Sequence, residues 1–171
     1  MITGCFLLIM WKEKNKMEID RIIINTKNFT VYTVKIPHVD RREGGHIVIA
    51  CKNIMYINME DMPQDVLHEL IDVASRCGMY MKRMFKKEEI DIGIINYQIN
   101  GNWSVLEDNR EPVHMHLYGR AKRSKNQRYG SALFLPDLKT GFYEGNKGLT
   151  GEEIVYLKEK LLSDKIIKMY L

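Results

Sequence analysis

The sequence predicts an α+β domain: an antiparallel sheet of about five strands, with one long helix packed on it and a second helix at the C-terminus. Three observations carry this. Short β-branched and aromatic runs follow one another across short loops. Residues 64–85 repeat apolar side chains every three or four positions. Thr150-Gly151-Glu152-Glu153 has the spacing of a helix-opening capping box.

Arg21–Ile24 and Phe29–Ile36 read as strands, with Lys27-Asn28 as the turn between them. Residues 37–45 make a charged, glycine-ended loop, and His46–Cys51 is the next strand, so the three should form a meander. In the long helix, Val66, Leu70, Val73, Cys77, Met81 and Met84 line one stripe, and Asp61 and Pro63 ahead of it are start signals. His68 lies off that stripe and should be solvated. Ile90–Ile99 reads as a strand with Ile92, Ile94 and Tyr97 buried, and Asn100-Gly101-Asn102 as a turn. A strand over 112–119 follows, then a short one at Ala132–Leu135 and a glycine-marked stretch over 141–148. The last helix turns Ile154, Leu157 and Leu161 toward the core. There is no internal repeat and no low-complexity tract.

A chain of 171 residues, 45% hydrophobic and 28% charged, fits one soluble globular domain. That domain is placed at 17–171. Residues 1–16 read as an N-terminal extension, as from an upstream start codon, with an extra edge strand or a membrane-touching segment as alternatives. The apolar run Cys5–Trp11 is too short to span a bilayer, and its lysines follow it, the wrong side for a signal peptide. A net charge of +4 suits attraction of a polyphosphate but is too weak to argue for a nucleic acid partner. Three scattered cysteines without Cys-x-x-Cys spacing argue against a disulfide scaffold or a zinc knuckle and fit a reduced, cytoplasmic protein. Cys51 and Cys77 should pack as small hydrophobes. No membrane partner is expected.

The chemistry concentrates in Glu111-Pro112-Val113-His114-Met115-His116-Leu117-Tyr118-Gly119-Arg120. On a strand, His114 and His116 point to one face, while Val113, Met115 and Leu117 point to the other, into the core. Two imidazoles beside Arg120 suit phosphorus chemistry or metal binding; a solvated strand face is the plain alternative.

This run resembles the motif of the histidine-triad (HIT) superfamily of nucleotide hydrolases and transferases, a His-φ-His-φ-His-φ-φ strand closed by Gly or Pro and Arg. Gly44-Gly45-His46-Ile47-Val48-Ile49-Ala50-Cys51-Lys52 is similar to the family's Gly-His strand, with Cys51 where that family has Pro. The two segments come in the family's order, over residues 20 to 135. The departure is a missing histidine. In one frame Pro112 stands first, His114 in the middle and His116 last. In the other, His114 is first, His116 in the middle and Tyr118 last. The first frame is preferred because it keeps Leu117-Tyr118-Gly119-Arg120 in register with the motif ending.

The resemblance implies a nucleotidyl-histidine intermediate formed at an α-phosphate by the middle histidine, one of whose ring nitrogens is held by a backbone carbonyl. The catalytic candidates are therefore His114, His116 and, from the neighbouring strand, His46. The nucleotide-binding candidates are Asn100, Asn102, His38, Asp40 and Arg120. Of these, Asn100 or Asn102 would contact sugar or phosphate, and His38 or Asp40 the ribose; Arg120, past the expected strand end, is the weakest. The expected partners are a nucleotide or dinucleotide substrate and, by the same resemblance, a second copy of the chain in a homodimer. No cofactor and no metal are expected. Three classes stay open: an enzyme of this kind, a nucleotide-binding protein that has lost catalysis, and a His-x-His metal site with His46 as third ligand.

Overall fold

The computed structural model describes residues 19–100 and 111–171; the expected extension over 1–16 and the candidate Asn102 lie outside them. Five strands form one antiparallel sheet: β1 (Ile19–Asn25), β2 (Phe29–Val34), β3 (His46–Cys51), β4 (Ile92–Ile99) and β5 (His114–Ala121). Their order is β1-β2-β3-β5-β4. The expected meander holds for the first three. β5 then inserts between β3 and β4, which sets the His-x-His strand directly against the strand that carries His46.

The helices are α1 (Gln64–Lys87) and α2 (Gly151–Ser163). Every member of the predicted α1 stripe, from Val66 to Met84, is buried in one core that also holds Ile47 and Ile49 of β3 and Met115 and Leu117 of β5. Each such aliphatic side chain contributes roughly 1.5–3 kcal/mol by leaving water. Cys51 and Cys77 belong to the same core, and His68 is exposed, as expected. Glu69, buried on α1, accepts from the Thr26 hydroxyl at 2.6 Å and the Asn28 amide at 2.9 Å, so the helix grips the β1–β2 turn. α2 opens with the predicted box: the Thr150 hydroxyl accepts from the Glu153 N–H, and the Glu153 carboxylate from the Thr150 N–H.

Two expectations fail. Ile94 and Tyr97 are 53% and 45% exposed. A register shift between Ile92 and Ile94 displaces the alternation, and β4 is a sheet edge with no strand beyond it among the described residues. Ala132–Leu135 forms no strand. Instead the Gln127 side-chain amide imitates a neighbouring strand: its Nε2 donates to the Phe134 carbonyl at 2.8 Å, and its Oε1 accepts from the Phe134 N–H at 3.1 Å.

The loop ahead of β3 lies backbone-to-backbone on β5. Gly44 has φ +122°, and a Cβ there would stand 2.5 Å from the Gly119 carbonyl. Only glycine fits on either side of this crossing.

Candidate active site

Alternation along β5 puts His114, His116, Tyr118 and Arg120 on the face opposite the helices, and the register sets His46 beside Tyr118. His38, just upstream of the glycine crossing, folds onto the same group. The ring centroids of His114 and His116 are 5.0 Å apart, those of His46 and His116 5.2 Å, and those of His38 and His46 5.0 Å. His116 thus lies between His46 and His114, and the three rings form one group. They do not line an open cleft, however. His38, His46 and His116 are each 2% exposed, and His114 is 6% exposed.

The hydrogen bonds fix which nitrogens carry protons. The His38 backbone N–H donates to His46 Nδ1 at 3.2 Å. A backbone amide only donates, so that nitrogen is an acceptor and a neutral His46 carries its hydrogen on Nε2. His46 Nε2 is 2.9 Å from His116 Nδ1, which must then accept, leaving His116 with its hydrogen on Nε2. All three rings are neutral near pH 7. Burial pushes His38 down to about 4. Burial first, and then the neighbouring imidazoles, lower His46 and His116 in the same direction.

His114 is held differently. Its Nδ1 is 3.0 Å from the Pro112 carbonyl, an acceptor, so Nδ1 bears the hydrogen. Its Nε2 faces Glu111, whose Oε2 is 3.7 Å away. A ring fixed this way presents Nε2 as its nucleophilic edge.

The remaining candidates divide. Asn100 joins the group: its Nδ2 donates to the Tyr118 hydroxyl at 3.2 Å, and that hydroxyl is 3.0 Å from His38 Nδ1. Asp40 is occupied elsewhere. It caps the turn Arg41–Glu43, accepting from the Arg42 N–H at 2.8 Å, and from the Lys147 N–H at 2.8 Å. Arg120 does not point to solvent; it is buried inside β5. Its guanidinium donates to the carbonyls of Arg128 and Ser131 at 2.9 Å and to Asn96 Oδ1 at 3.1 Å, fastening the loop after the strand. Sequence reasoning missed Glu111, Gln98 and Tyr143. Gln98 is legible in hindsight, since pairing of β4 with β5 sets it opposite His116. Glu111 and Tyr143, whose ring centroid is 4.8 Å from that of His38, arrive from loops, where no periodicity marks them.

Among the described residues one set of side chains has metal-binding geometry: a nitrogen from each of His38, His46 and His116 lies within 4.8 Å of the others. The hydrogen bond donated by the His38 backbone N–H to His46 Nδ1 argues against use of this set. It places a hydrogen on the Nε2 that would have to bind the ion, so coordination requires that bond to break.

No family model and no curated protein matches the sequence. Solved structures do match. A histidine triad protein from Marinobacter aquaeolei VT8 aligns over 88% of this chain and 90% of its own, with TM-score 0.57 and 12% identity. A protein described as a hypothetical histidine triad nucleotide-binding protein from Sulfolobus tokodaii strain7 aligns over 97% of this chain and 89% of its own, with TM-score 0.52 and 15% identity. A zinc-bound histidine triad family protein from Mycobacterium smegmatis aligns over 95% of this chain and 97% of its own, with TM-score 0.52 and 16% identity. The chain has the histidine-triad fold.

Proposed function

We propose that this chain is a nucleotide-binding hydrolase or nucleotidyl transferase, acting at the α-phosphate of nucleoside phosphates or dinucleoside polyphosphates. His114 Nε2 attacks phosphorus, and water or another acceptor then resolves the nucleotidyl-histidine. The observation that carries this reading is the hydrogen bond from His114 Nδ1 to the Pro112 carbonyl, which fixes the tautomer an attacking imidazole needs. It also supports the frame in which Pro112 replaces the first histidine, because His116 Nδ1 is taken by a ring nitrogen rather than a carbonyl. His116 Nε2–H serves as a donor to the phosphate oxygens, and His46 keeps that hydrogen in place.

The Sulfolobus protein's description as nucleotide-binding agrees with this class of ligand. A second copy of the chain is the proposed partner, along the β4 edge, where Ile94, Tyr97 and Ile99 are exposed. Among the described residues no helix is long and apolar enough to cross a membrane. The free thiols of Cys51 and Cys77 support a reducing, cytoplasmic location.

A second reading has its own observation. Pro112 stands where the first motif histidine would be, and the loss of that imidazole favours a nucleotide-binding protein without turnover. The two separate in one experiment. The protein is quenched with a panel of α-phosphate-labelled phosphoramidates, dinucleoside polyphosphates and nucleotide sugars, and the adduct is mapped by mass spectrometry. Label on His114 is the expected result. Label on His116 puts Tyr118 in the last motif position. Binding without any adduct or product leaves the second reading.

A further inference from the structure

We propose that Glu111 is the proton carrier of this site: general acid to the leaving group in the first half-reaction and general base to water in the second. The inference rests on the nucleophilic role of His114. Glu111 Oε2 lies 3.7 Å from His114 Nε2, the attacking atom, while the other ring nitrogen is fixed on Pro112. The remaining histidines cannot do this work. Their hydrogen-bond chain begins at the His38 backbone amide, which occupies His46 Nδ1 with a hydrogen that never leaves. Passing a proton along that chain would require a charged ring, and burial opposes charge on all three. The trio donates hydrogen bonds; it is a dead end for protons.

Glu111 differs in access. Its side chain is 25% exposed, against 7% for His114, so it stands between the buried nucleophile and solvent. An ionised carboxylate beside an α-phosphate would repel it, whereas a carboxylic acid is tolerated and has a proton to give.

The balance closes on one proton, carried by Glu111 when substrate is bound, with the Nε2 lone pair of His114 free to attack. The Nε2–P bond forms, the bond from phosphorus to the leaving oxygen or nitrogen breaks, and that atom takes the proton from Glu111. In the second half, the Glu111 carboxylate takes a proton from water, the new P–O bond forms, and the Nε2–P bond breaks. His114 leaves as a neutral ring, with the proton on Glu111.

The test compares leaving groups. A nucleoside 5′-phosphoramidate of a simple alkylamine needs a proton on departure; the p-nitrophenyl ester of the same nucleotide departs as a stabilised phenolate. Glu111→Gln should lose about 10²–10⁴-fold on the amine substrate. It should keep the p-nitrophenolate burst within a few-fold, and its nucleotidyl-His114 adduct should persist longer than in the parent protein. Glu111→Asp should recover part of the loss, which a merely structural role would not produce. Equal losses on both substrates, or no loss on either, overturn the proposal while leaving the nucleophile in place. If the parent protein forms no adduct with either substrate, the nucleophile fails and this inference falls with it.

Discussion

Met115 and Leu117 on one face of β5, and His114 and His116 on the other, are buried alike, at 6%, 0%, 6% and 2% exposure. The helix-facing pair sits among aliphatic side chains of α1 and β3, where contact is non-directional and volume matters most. The opposite pair sits among imidazoles and phenols, where the Nδ1 of each ring has a designated neighbour: a carbonyl for His114, a ring nitrogen for His116. Depth alone therefore does not separate scaffold from chemistry in this strand. Direction does, because a displaced polar atom loses its partner while a displaced methyl group finds another.

The sharpest way to break this comparison is His114→Ala. It should reduce turnover by about 10⁴-fold or more, as expected for loss of a nucleophile. Its urea midpoint should fall by less than that of a core leucine variant, since the loss is one buried ring and its hydrogen bond to Pro112. Leu117→Ala should do the reverse. Loss of a fully buried leucine costs roughly 2–5 kcal/mol in chemical denaturation, with kcat per folded molecule retained. If the two variants gave similar profiles, the faces would not be functionally distinct. His116→Ala comes next: removing its donor should lower kcat about 10²–10³-fold, or 2.7–4 kcal/mol, while label still reaches His114.

Between pH 7.5 and 5.5, acid should act chiefly on the polar face. Burial holds His38 at about 4, below the unfolded-chain value near 6.5, with His46 and His116 lowered in the same direction. As pH falls, the unfolded chain takes up protons first. Stability is complete above about 6.5 and declines toward 4, by about 1.4 kcal/mol per pH unit for each such histidine. Denaturation midpoints at pH 7.5 and 5.5 measure this, and an unchanged midpoint would show that the folded rings accept protons. The smallest effect belongs to Tyr118→Phe. It removes the hydroxyl shared by His38 and Asn100, a loss of about 1 kcal/mol, and the thermal midpoint should fall by a few degrees in step.

Periodicity carried much of this into the sequence. His46–Cys51 is read with its own ends because it is an unbroken apolar run opened by two glycines. The α1 stripe and the Thr150 box are equally local. The facing of His114 and His116 follows from alternation alone. What the sequence hid depends on partners distant along the chain. The exposure of Ile94 and Tyr97 follows from the edge position of β4 and a register shift. The strand expected at Ala132–Leu135 is replaced by a single glutamine amide. Arg120 is turned inward by carbonyls of a loop that no spacing rule connects to it. His38 entered the site only through the resemblance, and its bond to Tyr118 spans 80 positions of chain.

The glycine crossing bears on how such a chain can change over generations. A side chain at Gly119 would meet the Gly44 carbonyl oxygen at 2.1 Å, and one at Gly44 would meet Gly119 at 2.5 Å. No replacement at either position opens room for the other, so every mutational route through this pair is closed while the loop keeps its seat on the strand. The histidines are under no such steric veto. A lineage can exchange them, lose catalysis and keep folding. In a drifting descendant, the two glycines would outlast the imidazoles as the mark of shared ancestry.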